Sequence, residues 1–383
     1  MATVTTSVEW ARIINTTIRD HMREVEDAIF RRRVWMAKLR KGGRIAYNCS
    51  GDGFDWTIRY NRPDMEVNNG TQTVTFTGTN RWKKPFLDYE GYIIPDTMTK
   101  RERLKNRNLP AVVKVFENLS SLLMEDMEEQ FAEELYVDSS ASGNTGRWSG
   151  LETFGGVEST NNTITVTSGV SRAENVADPC YSPSDTYAGL STALGNISGA
   201  WTASTSIENT WPFGTGDVDY DYFTPVIVRY VSNPFDGTST TWSDNAVRAT
   251  RFAIRALKRN KVKTIPLVLM GDGMFRQYLD NLDSKERIMV EKRGASKGMV
   301  DLGFEDSVFQ DGAEITSEYG VPSGTAYLLD PDACQIRSMQ GTLFAADPVE
   351  WNQGARQSQF AVDCLGQFKF KSPRNFAFLK GNL

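Results

Sequence analysis

The segment from Arg44 to Lys84 restricts the fold more than any other part of the sequence. Its apolar and polar residues alternate with the two-residue period of β-strands, around the turn-forming residues Pro63-Asp64 and Asn68-Asn69-Gly70. This pattern predicts a long β-hairpin. Two strands alone do not bury enough apolar surface to be stable in water. We therefore expect the hairpin to lie on another surface, either the body of its own chain or a neighbouring subunit.

Two long helical patterns lie on either side of this hairpin. The first runs from Ser7 to Lys41 and predicts an N-terminal helical arm whose basic residues, including Arg31-Arg32-Arg33, collect near its end. Those cations suit the helix dipole, and contact with an acidic partner or nucleic acid is the alternative explanation. The second pattern begins at Asn108 and Pro110, reaches Tyr136, and predicts a helix about 40 Å long.

The charges of this second helix run against its dipole. Basic residues precede it, whereas Glu125, Asp126, Glu128, Glu129, Glu133 and Glu134 crowd its C-terminal half. The dipole disfavours carboxylates at that end by a few tenths of a kcal/mol each, so local stability does not explain the layout. A solvated charged face and a contact with a partner both remain open as explanations.

The second half of the chain alternates strands and helices. Pro225–Tyr230 and Ile265–Leu269 are predicted strands, Trp242–Arg259 is a basic amphipathic helix, and another helix begins near Asp272. Residues 151–216 are rich in Ser, Thr, Asn and Gly and are predicted to be loops with short strands. Residues 359–383 alternate again as strands. The order of these elements indicates an α/β or α+β domain.

The composition excludes most catalytic chemistry. Among 383 residues there is one histidine, His21, so hydrolytic triads and multi-histidine metal sites have no imidazoles to use. The four cysteines lie too far apart for a Cys-x-x-Cys ligand pair. Asp217, Asp219 and Asp221 lack the glycine and the distal glutamate of a calcium loop. We therefore expect no catalytic residue, no cofactor and no metal.

Charge and hydropathy restrict the partners as well. The formal net charge is −5, the wrong sign for a protein whose affinity comes from neutralising phosphates. No apolar stretch approaches the ~20 residues that span a bilayer, and the N-terminus does not have the pattern of a secretory signal. We expect synthesis in a cytoplasm and no membrane partner.

The order of these parts resembles the major capsid proteins of tailed bacteriophages, which have the Hong Kong ninety-seven fold. Three passages carry the resemblance, together with a tail from Gln359 to Phe368 that is similar to the closing strands of that fold. The passages are Gly150-Leu151 followed by Gly155-Gly156-Val157; Ile265–Met270 with the residues up to Ile288; and Phe304–Asp330, which contains Val321-Pro322-Ser-Gly324-Thr-Ala-Tyr327-Leu-Leu.

The resemblance implies an α+β protein with an N-arm, an E-loop β-hairpin, a P-domain with a long spine helix, and an α/β A-domain. The implied boundaries are 1–44 for the N-arm, 45–85 for the E-loop, 86–149 with 343–383 for the P-domain (spine helix about 109–136), and 150–342 for the A-domain, with a loop-rich insertion at about 151–216.

The resemblance also implies a function and a set of partners. The chain would self-assemble, through hexamers and pentamers, into the icosahedral head shell that encloses the double-stranded DNA genome of a tailed phage, after assembly in the host cytoplasm. Scaffolding protein, portal and a decoration protein are the implied partners, and packaged DNA is contacted only non-specifically. Our hypothesis for contacts between subunits pairs hairpin arginines with acids on a neighbour's long helix, and it names Arg59, Arg62, Glu66, Glu125, Glu128 and Glu129.

Some members of this family weld their shells through a lysine–asparagine bond made at the hairpin tip. No lysine occurs between Arg44 and Trp82, so we expect non-covalent stabilisation here. Two other functions are weighed against the phage shell. One is an encapsulin-like cellular compartment with the same fold. The other is a carbohydrate-binding or glycan-cleaving surface protein, suggested by nine tryptophans and by carboxylates such as Asp217 and Asp221.

Overall fold

The computed structural model describes residues 33–60, 70, 80–101, 122–123, 126–127, 129–155, 180–181, 183, 185–193, 222–230, 241–259, 267–283, 307–347 and 349–381. The helices within these ranges are α1 (Val34–Lys41), α2 (the helical residues 122–123, 126–127 and 129–134), α3 (Trp242–Arg259) and α4 (Asp272–Asp283). Short 3₁₀ turns lie at Leu151–Thr153, Pro331–Ala333 and Pro373–Asn375.

The strands of the described residues are numbered in chain order. They are β1 (Ile45–Cys49), β2 (Gly53–Asp55), β3 (Ile58–Arg59), β4 (Trp82–Lys83), β5 (Phe86–Asp88), β6 (Glu90–Thr99), β7 (Cys180–Tyr181), β8 (Thr186–Tyr187), β9 (Leu190–Ser191), β10 (Val226–Arg229), β11 (Leu267–Met270), β12 (Ser307–Gln310), β13 (Ala313–Ser317), β14 (Thr325–Leu329), β15 (Cys334–Met339), β16 (Ala345–Ala346), β17 (Glu350–Asn352), β18 (Gln357–Phe370) and β19 (Ala377–Lys380).

The chain forms two compact units, and the first takes its described residues from 1–52, 88–150 and 335–369. Its sheet has six strands within the described ranges, with β18 bonded to β15, β16, β17 and β6, and with β1 parallel to β15. The antiparallel β6–β18 pairing extends over ten residue pairs, from Glu90 opposite Gly366 to Thr99 opposite Gln357. Exposure alternates along β6, so one face of this sheet is open to solvent.

Aromatic side chains fill the core of this first unit. Phe131 of α2 contacts Trp148, Phe344 and Phe368, with ring centroids 5.1, 5.3 and 5.8 Å apart. Trp148 lies edge-on to Phe368 at 4.9 Å and is completely buried. Edge-to-face pairs at these distances are the favoured aromatic geometry. The C-terminal part of α2 is thereby fixed against β18.

The second unit takes its described residues from 53–87, 151–334 and 370–383. Its seven-stranded sheet, as far as the structure describes it, has the order β12-β13-β11-β14-β19-β10-β7. The strands β11 and β19 are buried at every residue. Helices α3 and α4 join one apolar cluster with Val226, Val268 and Leu379 of the sheet. A sheet that is buried on both faces explains why these strands are continuous apolar runs in the sequence.

An aromatic layer covers the opposite face of this sheet. Phe154 lies 5.8 Å from Phe378, whose side chain points away from the helices because it stands between Ala377 and Leu379 of the apolar cluster. The rings of Tyr187, Phe370 and Phe376 lie 5.2, 5.2 and 5.3 Å from Phe154. The sheet is therefore the middle layer of three.

Several predicted elements are observed with small shifts. The helix predicted over Trp242–Arg259 is α3, and the helix predicted to begin near Asp272 is α4. Of the predicted spine helix, residues 122–123, 126–127 and 129–134 are helical and residues 135–136 form a turn, so the helix ends two residues earlier than predicted; residues 109–121, 124–125 and 128 lie outside the described residues. The predicted arm residues 7–32 lie outside them too. No helix in the described ranges is long and apolar enough to cross a membrane.

Two strand pairings differ from the grouping that the sequence suggested. Ile45–Cys49 was grouped with the hairpin, but it pairs in parallel with β15 in the six-stranded sheet. Residues 343–383 were grouped together, but Ala377–Lys380 pairs with β10 and β14 in the seven-stranded sheet. A two-residue period identifies a strand and does not identify its partner, because the partner depends on contacts between distant residues.

Candidate assembly surfaces

The root of the predicted hairpin packs on its own chain. Phe54 stacks on Trp56 with ring centroids 5.7 Å apart, and both rings are buried. The Trp56 indole lies 6.2 Å from the Tyr187 ring and donates a hydrogen bond of 2.9 Å to the carbonyl of Lys371. The two strand pairs of this root, β2–β5 and β3–β4, are short. The described part of the hairpin is thus supported by the second unit, while residues 61–69 and 71–79 lie outside the described residues.

The end of the predicted arm is also buried in its own unit. Helix α1 buries five of its residues, and Trp35 lies edge-on to Phe368 at 5.3 Å. Its basic residues Lys38, Arg40 and Lys41 stand in the last turn, where the helix dipole favours cations. In this part of the arm the dipole accounts for the basic cluster, and Arg31 and Arg32 lie outside the described residues.

A buried carboxylate anchors the C-terminal end of α2. The Tyr92 hydroxyl donates to Glu134 at 2.6 Å and accepts from the Trp148 backbone N–H at 2.7 Å. Arg147 donates to the same carboxylate through Nη2 and, at 3.2 Å, through Nε. Burial, and then the hydrogen bond to Glu134, raises the pKa of Tyr92, and the bond to Glu134 raises that of Arg147. We call Glu134, Tyr92 and Arg147 the Glu134 node; it joins α2, β6 and the loop before Gly150.

Gly150 is required by a close backbone approach. A Cβ atom at this position would lie 2.5 Å from the Val137 carbonyl oxygen and 2.6 Å from that of Leu135. Backbone oxygens at the end of α2 cannot move aside as a flexible side chain could. The Gly-Leu passage noted in the sequence is therefore a packing requirement, and the Leu151 that follows is completely buried.

A second, partly buried carboxylate joins two of the passages that carry the resemblance. Glu152 accepts a hydrogen bond of 2.5 Å from the Tyr327 hydroxyl and pairs with the Lys380 ammonium at 2.5 Å. Tyr327 belongs to the Val-Pro-x-Gly passage, whose Gly324 has a φ of +78° that favours glycine. The node lies within the second unit and joins β14 to β19. We did not identify it from the sequence, because its members are 175 and 228 residues apart.

The open face of the six-stranded sheet carries apolar and acidic residues side by side. Ile93 is 62% exposed and stands opposite Asp363, which also stands opposite Ala345. Burial and the neighbouring Asp347 raise the pKa of Asp363. Trp82 and Phe86, near the hairpin root, are also exposed. Exposed side chains of this size favour a covering partner.

The sequence hypothesis named six residues, and the structure describes two of them. Arg59 is exposed at the end of β3, and Glu129 is exposed on α2. Arg62, Glu66, Glu125 and Glu128 lie outside the described residues. The hypothesis that these residues meet across subunits thus remains a prediction.

The described residues show no cluster of metal ligands. Within these residues, no group of three or more His, Cys, Asp or Glu side chains could hold a metal ion. Cys49, Cys180, Cys334 and Cys364 form no disulfide, and the last three are buried. Glu134 and Glu152 are each held by a cation and a tyrosine.

Comparison with known proteins rests on structure alone. No protein-family model matches the chain, and no curated protein matches its sequence. The capsid asymmetric unit of cyanophage A-1(L) is similar, with 12% identity, a TM-score of 0.55, and coverage of 90% of this chain and 92% of that chain. The chain has a capsid-protein fold. The capsid of the empty GTA particle is also similar, with 9% identity, a TM-score of 0.50, and coverage of 89% and 95%.

The capsid of the native GTA particle gives the same TM-score of 0.50 at 9% identity, with coverage of 91% of this chain and 90% of that chain. These matches confirm the predicted α+β class and the Hong Kong ninety-seven-type fold. They extend over both compact units, because about nine-tenths of the chain is covered.

Proposed function

We propose that this protein is a major capsid protein, whose copies self-assemble into the icosahedral head shell around the double-stranded DNA genome of a tailed phage. The observation that carries the proposal is the likeness of fold along the whole chain to the cyanophage A-1(L) capsid, with 90% and 92% of the two chains covered. In this proposal the first unit is the P-domain, and the second unit is the A-domain. The role is structural and involves no catalysis.

The open face of the first unit supports assembly. A folded monomer gains nothing from a side chain such as Ile93 held 62% exposed, whereas a neighbouring copy would remove it from water. We expect Ile93→Lys to leave the melting temperature of the monomer within about 2 °C of wild type and to reduce the yield of particles. Phe309→Lys, at an exposed position of the second unit, is the matched control. A variant that assembles like wild type would remove this face from the interface.

The hairpin and the long helix supply a second proposed contact. Arg59 and Arg62 of one copy would meet Glu128 or Glu129 of another, with Glu66 and Glu125 close to the same contact. Exposed pairs contribute at most about 1 kcal/mol each, so their effect depends on repetition over many copies. A double charge reversal, Arg59→Glu with Glu129→Arg, should assemble better than either single reversal. If the double reversal assembles as poorly as each single reversal, the proposed pairing is contradicted.

We propose that the shell is held together without covalent links, because the hairpin has no lysine between Arg44 and Trp82. Assembled particles boiled in denaturant should give a single band at 42.9 kDa and a single mass by mass spectrometry. A ladder of linked chains would contradict this proposal.

The implied partners belong to the same proposal. Scaffolding protein and portal would guide assembly in the host cytoplasm, and a decoration protein would reinforce the shell. Packaged DNA would be contacted non-specifically, in keeping with a net charge of −5. The location of the mature protein would be the virion capsid.

Negative-stain microscopy and size-exclusion chromatography of the expressed protein test the function. Closed particles of megadalton mass are expected, and a stable monomer under all assembly conditions would contradict the proposal. The contents of shells purified from the native source separate the two kinds of compartment. Packaged DNA supports the phage head, whereas a cargo enzyme would support the encapsulin-like alternative. Binding of glycans by a monomer would favour the carbohydrate hypothesis.

A further inference from the structure

Helix α3 carries a line of exposed cations that the fold does not use in its core. Arg248, Arg251, Arg255 and Lys258 are exposed, and they recur in steps of three, four and three residues, which places them on one helix face. We call these four residues the basic stripe. At about 1.5 Å of rise per residue it is about 15 Å long. The opposite side of α3 is buried in the apolar cluster.

The helix dipole does not explain the whole basic stripe. The helix dipole favours cations in the last turn, which accounts for Lys258 but not for Arg248 or Arg251. Asp311 pairs with Arg251 at 3.4 Å, and its carbonyl accepts a hydrogen bond from Lys258. Helix α3 nevertheless carries five cations and one carboxylate, so the surface is strongly positive in a chain whose net charge is negative.

Helix α2 carries the opposite charge in the same arrangement. Asp126, Glu129 and Glu133 are exposed and recur in steps of three and four residues, and we call them the acidic stripe. Met127 and Phe131 mark the buried side of this helix. The carboxylates lie in the C-terminal part of α2, where its dipole disfavours them. The helix dipole therefore explains neither the positions of these carboxylates nor those of Arg248 and Arg251.

The acidic stripe matches the spacing of the first three residues of the basic stripe, and its charge is opposite. The step of seven residues between Asp126 and Glu133 equals the step between Arg248 and Arg255, and each corresponds to about 10 Å along the helix. Two helices packed at a shallow angle stay in contact over that distance. A repeated row of complementary charges specifies register and partner more than it adds affinity.

We propose that the basic stripe of one copy binds the acidic stripe of a second copy of this chain. The inference rests on the proposed self-assembly and specifies one of its contacts. It shares helix α2 with the hairpin contact proposed above, but it does not involve the hairpin. Glu129 is a candidate for both contacts, and the experiment therefore leaves Glu129 unchanged.

The experiment uses two full-length reversal variants. In the first, Arg248→Glu and Arg255→Glu remove the net positive charge of the basic stripe; in the second, Asp126→Lys and Glu133→Lys give the acidic stripe a net positive charge. Neither variant should assemble alone at concentrations up to about tenfold above the wild-type threshold, the factor that corresponds to about 1.4 kcal/mol. An equimolar mixture should form capsomers, because each contact can then join either two native stripes or two substituted stripes whose changed positions carry opposite charges. One chain that carries all four substitutions should also assemble.

Controls separate folding, general charge and nucleic acid from the proposed contact. Arg276→Glu changes an exposed cation on α4, and Glu350→Lys changes an exposed acid on β17; both should assemble like wild type. Thermal melting of each monomer reports the fold. Should a reversal unfold, the pairs Arg248→Gln with Arg255→Gln and Asp126→Asn with Glu133→Gln take its place and should raise the assembly threshold.

Three results would overturn the inference. Reversal variants that assemble like wild type would show that the stripes do not meet. A mixture and a four-fold variant that both fail would show that the charges act separately. Loss of double-stranded DNA binding by the α3 reversal, with assembly intact, would identify the occupant as nucleic acid. In all three cases wild-type shells still form, so the proposed function stands. Wild-type protein that never assembles would contradict both the contact between the stripes and the proposed function.

Discussion

Each compact unit contains one glutamate held by a tyrosine and a cation, and the two nodes differ in their access to water. In the second unit Glu152 binds Tyr327 and Lys380, and the Lys380 side chain is only 5% exposed. In the first unit Glu134 binds Tyr92 and Arg147, and the Arg147 side chain is 37% exposed. Loss of the carboxylate would leave a buried charge without compensation only in the second unit.

This difference follows the architecture of the two units. The seven-stranded sheet has helices on one face and an aromatic layer on the other, so charges between its strands have no route to solvent. The six-stranded sheet has an open face, and Arg147 lies in a loop at the surface. The seven-stranded sheet of the second unit is thus covered on both faces, while the six-stranded sheet of the first unit keeps one face exposed.

The largest expected effect is that of Glu152→Gln. It removes the negative partner of Lys380, and we expect the second unit to lose about 3 kcal/mol of unfolding free energy. Hydrogen exchange of the β14 and β19 amides, followed through urea unfolding, measures this loss. Asp280→Asn, at an exposed acid of α4, is the control and should change little. The double variant Glu152→Gln with Lys380→Met should recover part of the loss, and no recovery would contradict the explanation.

Glu134→Gln should cost less, about 1–2 kcal/mol, because water still reaches Arg147 after the pair is broken. The neighbouring residue supplies the control, since Glu133→Gln makes the same chemical change at an exposed position and should change stability by less than about 0.5 kcal/mol. Hydrogen exchange of the Trp148 backbone amide, followed through urea unfolding, reports on this region. If Glu134→Gln costs as much as Glu152→Gln, the comparison of the two nodes fails.

For the two tyrosines we expect the opposite order, with the larger loss of unfolding free energy in the first unit. Tyr92 donates to Glu134 and accepts from the Trp148 N–H, so Tyr92→Phe removes two hydrogen bonds and takes away this acceptor of the buried Trp148 N–H; it should cost about 1–2 kcal/mol. The Tyr327 hydroxyl donates to Glu152, and Tyr327→Phe, which removes that hydrogen bond, should cost about 1 kcal/mol. Urea unfolding of both variants gives the order, and the reverse order would contradict this account.

The smallest effect concerns pH and the open face. The pKa of Asp363 is raised by burial and by Asp347, so the folded chain holds this proton more tightly than the unfolded chain. Stability from this group is therefore lost as pH rises from the ordinary range of a carboxyl through the raised pKa. Asp363→Asn should melt slightly above wild type at pH 7, and the difference should vanish below pH 3. If Asp363→Asn melts below wild type at pH 7, the assigned direction of the Asp363 pKa shift is wrong.

The sequence predicted local structure well where periodicity is strong. The bounds of α3 and the start of α4 followed from periodicity, and the capsid fold was implied by the family resemblance. The pairing partner of each strand could not be predicted from these patterns. Ile45–Cys49 and Ala377–Lys380 each have the pattern of a strand, and nothing in that pattern says which sheet they join.

The anchoring carboxylates were missed for a related reason. Glu133 and Glu134 are adjacent in an acidic run, and the run as a whole indicates a charged surface. Only the helical phase relative to Phe131 separates the exposed Glu133 from the buried Glu134. Glu152 has no local signal, because its two partners lie far along the chain. We expect the hairpin to lie on another surface. At the root of the hairpin, that surface belongs to the same chain.

The positions of β18 and β19 have a consequence during protein synthesis. β18 pairs with four other strands of the first sheet, and β19 lies between β14 and β10 in the second. A ribosome that stalls before residue 357 therefore releases a chain in which both sheets lack an interior strand. Such a fragment cannot complete either unit. Both units can therefore close only after the last described strands of the chain have been synthesised.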